Sequence, residues 1–316
     1  MLDALKFVRG AVSTKDFVPA LTHFHIHDRR VTGYNGKLSL SAPIPLDVDC
    51  CPKAIPFVKA IEACEETAQM HLTPSNKLAI RSGKFKANID TLLDEVYPEV
   101  VPEGLAVETD GGLLHALATL YDFSAEDASR PLAAGVLLDG NTATATNNVV
   151  IVQKWLGYHF PYRANLPRYA VKEMLRIGEE PVGMMLSDKN ATFFYEGDRW
   201  LRTQLNSLEW PNVDALLDSL QGAAGCPVPA GLFEALETLA PFVDEQNRVY
   251  ILDNMARTGE DSASVEVPGL PGDSIFNLKM LRLLGKVATD INFAAYPDPV
   301  PFVGDKLRGA IAGMTK

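Results

Sequence analysis

The sequence predicts an α+β protein of three tandem domains, each built from a pair of helices and several antiparallel hairpins. Three observations carry this. At 316 residues the chain is long for one domain and suits two or three of ordinary size. Its residues are 47% apolar and 22% charged, enough to furnish several cores and too apolar for a disordered chain. One order of elements, helix, hairpin, helix, hairpins, also returns three times at intervals of roughly 110 to 120 residues, the length of a small domain.

The first helix of each copy is read from apolar residues three or four apart, which share one helical face. They are Leu2, Leu5 and Val8 in LDALKFVRGAV, Leu113, Leu114 and Leu117 in GGLLHALATLYDF, and Leu232, Leu236 and Leu239 in AGLFEALETLAPF. A hairpin follows. Asn35-Gly36 lies between RRVTGY and KLSLSAP, and Asp139-Gly140 between AAGVLL and NTATAT. Such dipeptides favour the positive φ that two-residue turns need, so the two are expected to hold equivalent places. In the third copy Asp253-Asn254 serves within RVYILDNMARTG.

The second helices are PKAIPFVKAIEAC, PRYAVKEMLRIGEE and NLKMLRLLGKVA. Pro52 or Pro56, and Pro167, suit a first helical turn, and Asn277 suits an N-cap. KLAIRSGKFKANI and NATFFYEGDRWLRTQL then read as strand, tight turn, strand. Pro102-Glu103-Gly104 and the small-residue run Gln221 to Gly225 read as linkers, which sets the expected domains at 1–103, 104–219 and 220–316.

Lys and Arg number 29 against 40 Asp and Glu, a formal charge of −11. The average surface field therefore repels nucleic acid and anionic membrane, and any DNA contact has to be local. Basic residues do recur on helix faces. Lys279, Arg282 and Lys286 stand at i, i+3 and i+7; Arg168, Lys172 and Arg176 at i, i+4 and i+8; Lys6 and Arg9 on the first helix and Lys59 on the second form smaller groups. The first helices of copies two and three carry no Lys or Arg, and copy three has Glu234 and Glu237 there. Cys50, Cys51, Cys64 and Cys226 lack C-x-x-C spacing and read as reduced cytosolic thiols. With no apolar run of about 18 residues and with Asp3, Lys6 and Arg9 near the N-terminus, the expected location is cytoplasmic, with no membrane partner.

His23, His25 and His27 alternate in HFHIHD and are expected to share one face of a strand. A metal-dependent hydrolase built on them is the enzymatic alternative, and it needs further ligands from elsewhere. Gly33-x-x-Gly36-Lys37 has neither the spacing nor the following hydroxyl of a phosphate-binding P-loop, and reads as a turn. The chain has no G-x-S-x-G, H-E-x-x-H or dinucleotide fingerprint, so no motif of this kind marks an enzyme, and on that ground alone an enzyme is only weakly disfavoured.

Several segments together resemble the bacterial sliding clamp, the beta subunit of DNA polymerase III. VSTKDFVPALTHFHI, GKLSLSA and NKLAIRSGKFKANI are similar to its first domain. RPLAAGVLLDGNTATATNN, LPRYAVKEML and LRTQLNSLEWPN are similar to its second, and SIFNLKMLRLL onward to its third. The sharpest pieces are Ile80 to Gly83, Trp210-Pro211-Asn212 and Phe276-Asn277. The resemblance implies three clamp-type domains per chain and a head-to-tail homodimer that closes into a ring. Its helix pairs line the inside and its antiparallel sheets the outside. Duplex DNA is held topologically, without sequence preference, a DNA polymerase and a clamp loader are the protein partners, and the chain itself is a non-catalytic processivity factor with no cofactor or metal. The listed faces, Lys6, Arg9, Lys59, Arg168, Lys172, Arg176, Lys279, Arg282 and Lys286, then become the DNA-facing residues. The short chain and compact loops point to a phage-encoded version. A clamp-like interaction module that does not encircle DNA is the remaining reading.

The resemblance also implies a groove for partner peptides between the second and third domains. Carried over by position, it comprises Thr146, Asn147, Asn148, Val149, Val150 and Ile151, then Pro211, Ala215 and Leu216, then Ala310, Ala312 and Met314, with Lys316 at the rim. The family's Asp-Gly-His-Arg-Leu is here Asn147 to Ile151, its aromatic after the proline is Val213, and its Met-Pro-Met-Arg-Leu tail is Ala312 to Lys316.

Overall fold

The computed structural model describes residues 1–15, 17–65, 67–92, 97–109, 111–127, 132–206, 210–220, 222–259 and 262–315. Gln221 of the expected second linker, 207–209 of the LRTQLNSLEWPN segment and the terminal Lys316 lie outside them. The strand pairings among the described residues are all antiparallel. With the helices α1 (Leu2–Val8), α2 (Ala54–Glu62), α3 (Leu113–Tyr121), α4 (Arg168–Ile177), α5 (Val213–Asp218), α6 (Leu232–Leu239) and α7 (Leu278–Leu283), this is the expected α+β class.

The chain forms two compact units, each made of two stretches of sequence: Met1–Leu114 with Lys172–Leu205, and His115–Val171 with Asn206–Lys316. The first unit holds a seven-stranded sheet in the order Phe24–His27, Arg30–Tyr34, Leu38–Pro43, Arg199–Gln204, Asn190–Tyr195, Gly183–Leu186 and Leu105–Val107. At its centre, strands about 160 residues apart in sequence, a separation that makes closure slow, pair as Leu40 with Leu201 and Ser41 with Trp200. Leu40 and Leu201 are fully buried. A four-stranded sheet accompanies it, ordered Cys51–Pro52, Phe85–Leu92, Lys77–Ser82 and Gln69–Leu72. α1 buries Leu5, Phe7 and Val8, and α2 buries Phe57, which meets Phe24 edge to face at 6.4 Å.

The second unit repeats the plan. Its seven-stranded sheet runs Ala164–Pro167, Gly135–Asp139, Thr142–Thr146, Val150–Trp155, Leu307–Ile311, Val300–Gly304 and Asp290–Ile291. Again distant strands meet at the centre, with Ile151 opposite Ala310 and Gln153 opposite Arg308. The accompanying sheet is ordered Ser264–Glu266, Met255–Arg257, Arg248–Leu252 and Ser274–Asn277. α6 turns Leu232, Ala235, Leu236 and Leu239 inward at helical spacing. Asn277 caps α7 as expected, its Oδ1 accepting from the Met280 amide at 3.2 Å. Among the described residues no helix is long and apolar enough to cross a membrane. The four cysteines carry free thiols.

The structure corrects the turn assignment. Asn35-Gly36 is part of a four-residue loop in which Asn35 Oδ1 accepts from the amides of Lys37 and Leu38. Its counterpart is the loop opened by Asn147, whose Oδ1 accepts from Val149 and Val150 in the same pattern. The two-residue turns sit one hairpin earlier: Gly140-Asn141, Asp253-Asn254 and, in the first copy, Asp28-Arg29. Asp28 and Arg29 lie at φ +47° and +57°. Sequence reading passed over them because neither is glycine.

An L-residue in the left-handed region costs roughly 1–2 kcal/mol, less for Asn and little for Gly. Asp28→Asn combined with Arg29→Gly should therefore stabilise the protein by about 1 kcal/mol, partly offset by the freer unfolded chain. Urea unfolding measures it, and a lowered midpoint would mean that this turn does not hold positive φ.

Candidate functional site

In the second unit, strands Thr142–Thr146, Val150–Trp155 and Leu307–Ile311 place Thr146, Ile151 and Ala310 in one cross-strand row. The chain that crosses this face begins at Trp210 and Pro211 and continues into α5. α5 starts where it does because Asn212 caps it, Oδ1 accepting from the Ala215 amide at 3.0 Å. Its inner side supplies Val213 and Leu217, which cluster with Leu137, Trp210 and Ala310. Its outer side presents Asp214 and Asp218 to a single guanidinium. Arg308 bonds both, and Asp214 also accepts from Gln153 at 2.9 Å. Arg163, paired with Asp139 at 2.8 Å, donates to the carbonyls of Trp210 and Pro211. Arg308 on the sheet and Arg163 just before the strand Ala164–Pro167 thus pin the covering segment at both ends.

Between that segment and the sheet remains a cavity of about 290 Å³. Of the residues expected at the groove it brings together Thr146, Asn148, Val149, Val150, Ile151, Pro211, Leu216, Ala310 and Ala312. Ala215 is on the exposed side of α5 and does not line it. Met314 is also outside the lining: its amide donates to Ile275 O at 2.7 Å and its carbonyl accepts from Tyr296 Oη at 2.8 Å, which carries the tail away after Ala312. Gly313 packs so closely on Tyr296 that a Cβ there would meet its ring at 2.5 Å. Lys316 is outside the described residues. Sequence reading missed Leu132, Trp210, Leu220 and Pro299 as lining. Trp210-Pro211-Asn212 was itself a signal, since a tryptophan beside a capped helix needs a core to enter, whereas Leu132 and Leu220 lie where no periodicity marks them.

The lining residues contain no ionisable side chain. Thr146 spends its hydroxyl locally, donating to Val150 O at 2.8 Å and accepting from the Asn148 amide. Asn148 holds φ +69° at the loop tip, a conformation asparagine tolerates. The cavity is thus an apolar pocket with polar rim groups, suited to large uncharged side chains.

The basic faces divide sharply. Arg168 is a brace: its guanidinium lies 3.8 Å from the Tyr121 ring centroid and donates to Tyr121 O and to Ser124 O and Oγ. Arg176 pairs with Glu173 at 2.6 Å and donates to Phe7 O. Arg282 pairs with Glu237 through Nε and Nη2, and Lys286 with Asp122 at 2.6 Å. Lys6 is 4.0 Å from Glu62. Arg9, Lys59, Lys172 and Lys279 are exposed and have no ion pair among the described residues.

The three histidines do not form one donor face. His23 precedes the strand and is buried, its Nδ1 against Pro19 O at 2.7 Å and Thr22 Oγ1 at 3.1 Å. His25 and His27 stack in parallel at 5.8 Å, and His25 stacks on Tyr97 at 4.9 Å. Burial pushes the Tyr97 phenol well above its ordinary range. Among the described residues no three His, Cys, Asp or Glu side chains are grouped to hold a metal ion. His23 is itself extended and bridges to Lys53, but its ring is taken up by Pro19 O and Thr22 Oγ1 and is not offered with the other two.

No family model and no curated protein matches the chain. Solved structures do. The beta subunit from DNA polymerase of Streptococcus pyogenes is 18% identical and superposes with a TM-score of 0.85, over 100% of this chain and 97% of that one. The Helicobacter pylori beta clamp in complex with 3,4-difluorobenzamide is 14% identical at a TM-score of 0.84, with the same coverage. The same clamp bound to a DNA ligase peptide gives 15% and 0.80, again over 100% and 97%. The fold of this chain is therefore that of the bacterial beta clamps from end to end.

Leu216 and Leu217 separate wall from core. Leu216 is 45% exposed at the cavity and Leu217 only 7%. Leu217→Ala should cost about 2–4 kcal/mol by leaving a void, and Leu216→Ala no more than about 0.5 kcal/mol, both measured by urea unfolding. Equal costs would mean that Leu216 belongs to the packed interior.

Proposed function

We propose that the protein is a DNA sliding clamp, a non-catalytic processivity factor that encircles duplex DNA and tethers a polymerase to it. The observation that carries this reading is the end-to-end likeness of fold to bacterial beta clamps. On it rest three domains at 1–103, 104–219 and 220–316, a clamp loader and a DNA polymerase as partners, a cytoplasmic, DNA-associated location, and a phage or bacterial source. DNA is held by enclosure, which needs no tight or sequence-specific contact.

Unpaired strand edges support the dimer. Arg199–Gln204 pairs with Leu38–Pro43, and Leu307–Ile311 with Val150–Trp155, so the last strand of one copy's hairpins joins the sheet of another. By the same order the last hairpin strand of the first copy is Phe85–Leu92, and the receiving strand of the third copy is Ser264–Glu266. Among the described residues Ser264–Glu266 pairs with Met255–Arg257 alone. Phe85–Leu92 meets Lys77–Ser82 on one side and, on the other, the segment Cys51 to Lys53 only at its end, from Asp90 to Leu92. Exposed edges of this kind invite a further strand. A head-to-tail C2 pair satisfies both edges in each chain, and a closed pair forms no filament.

The apolar cavity is the proposed partner site. The Helicobacter pylori relative was crystallised with a DNA ligase peptide, and a cavity lined by Val149, Ile151, Pro211 and Leu216 suits an extended peptide with one or two large apolar anchors. No observation favours a hydrolase at His23, His25 and His27.

Light scattering should give a dimer at micromolar concentration, and the loaded protein should stay on closed circular DNA while running off linear ends. A stable monomer would leave a clamp-like module that does not encircle DNA, and equal retention on both templates would indicate ordinary binding. Leu216→Asp should leave the dimer intact and remove polymerase stimulation by tenfold or more, in keeping with an anchor loss of about 2 kcal/mol. Undiminished stimulation would place the partner site elsewhere.

A further inference from the structure

Resting on the clamp reading, we infer that the helices expected to face DNA carry their own counter-charge. Asp122, Glu173 and Glu237 hold Lys286, Arg176 and Arg282, so that contact with phosphate falls to Arg9, Lys59, Lys172 and Lys279.

Glu173 is the most deliberate of the three acids. It lies one turn before Arg176 on α4, has only 10% of its side chain exposed, and bonds Nε and Nη2 of that arginine at 2.6 to 3.0 Å. Its carboxylate fits because residue 10 is glycine: a Cβ there would stand 1.6 Å from Oε1. The remaining reach of Arg176 goes to Phe7 O at 2.9 Å. Arg176 is thereby fixed to the protein through Nε and Nη2. Glu237, on α6, takes Arg282 of α7 as a two-point pair. Asp122, just past α3, takes Lys286 beyond the end of α7 at 2.6 Å.

A cation already neutralised by a neighbouring carboxylate has little counterion atmosphere to displace from DNA, and to reach a phosphate it must leave or share its partner. The salt dependence of DNA binding counts the phosphates neutralised, with a slope of about 0.9 per contact on duplex. Nine basic residues read from sequence therefore overstate the attraction. Arg168 is committed to Tyr121 and Ser124, Lys6 is near Glu62, and three more are paired as above. The four left are exposed and lie on α1's end, α2, α4 and α7. The pairing keeps attraction low enough for the duplex to move, and the acids that produce it are on the same helices or their immediate partners.

The test measures binding of a short linear duplex across a salt series, with retention on circular DNA as the control for the clamp reading. Asp122→Asn, Glu173→Gln and Glu237→Gln, combined in one variant, keep shape and remove three negative charges. They should tighten binding at low salt by tenfold or more and steepen the slope by up to about 2.7, three contacts at 0.9 each. The variant Arg9→Ala, Lys59→Ala, Lys172→Ala, Lys279→Ala should flatten the slope instead, while Arg176→Ala with Arg282→Ala should leave it within about one contact of the parent. Circular dichroism and urea unfolding verify that each is folded. If Glu173→Gln destabilises the fold, Asp122→Asn with Glu237→Gln alone should still steepen the slope, by up to about 1.8. A slope unchanged by removal of the acids, or lowered as much by the paired arginines as by the four exposed cations, overturns the inference even where the parent is retained on circles. A parent released equally from circular and linear DNA overturns the clamp reading first.

Discussion

Antiparallel pairing between strands that belong to different copies of the repeat is the constraint on which the rest of this structure depends. A bare edge exposes a row of amide and carbonyl groups that must be bonded or solvated. The chain meets this twice within itself, at Leu40 opposite Leu201 and at Ile151 opposite Ala310. A linear array of such copies always ends with one donor edge and one receiving edge. The outward strands Phe85–Leu92 and Ser264–Glu266 are those ends, and the head-to-tail pair proposed above would join them without a separately built interface.

The same junction creates the cavity. Where hairpins from one copy join the sheet of another, the connecting chain has to run over the sheet face, and its side chains decide whether that face is sealed or left open. Here α5 seals half of it. Leu217 and Val213 go into the core, while Asp214 and Asp218 lock to Arg308, and Leu216 is left over the remaining gap. With the charges on the outer side of α5 and the lining uncharged, binding energy in the cavity can come only from burial of apolar surface and from fit. Val149 and Val150, standing where the resembling family has His and Arg, remove the charge that would reward an acidic ligand.

Much of this was legible in the sequence, and the limits were local. Helix faces such as Leu232, Leu236 and Leu239 declare themselves because burial repeats every third or fourth residue. Asn277 declares a cap because its side chain has one job to do. Turn register did not, since Asp28-Arg29 bends through positive φ without glycine and Asn35 bonds its own loop by its side chain, and only pairing across the sheet distinguishes them. The cavity was readable through Ile151, Pro211 and Leu216, which a family likeness could carry over by position. Met314 was not, because its fate is set by Tyr296 and Ile275, residues distant in sequence that bond its backbone. The histidine strand misled for a related reason: alternation says nothing of burial, and His23 is buried against Pro19 and Thr22 while His27 is half exposed.

Charge patterning shows the same limit in a form that bears on how such a protein works. Spacing along α4 and α7 puts basic residues on a face, but it says nothing of acids on neighbouring helices, and those acids decide how much of the charge is felt. Arg282 looks free within its own helix and is held by Glu237 of α6; Lys286 looks free and is held by Asp122. On the clamp reading proposed above, a protein with formal charge −11 could surround a polyanion only if the surface facing it neither repelled nor gripped it. Repulsion would oppose threading, and many unpaired cations would turn every phosphate into a stopping point, since each contact must be broken before the next step. On that reading, pairing most of the basic residues while leaving a few exposed would satisfy both demands, and enclosure would supply the residence time that affinity does not.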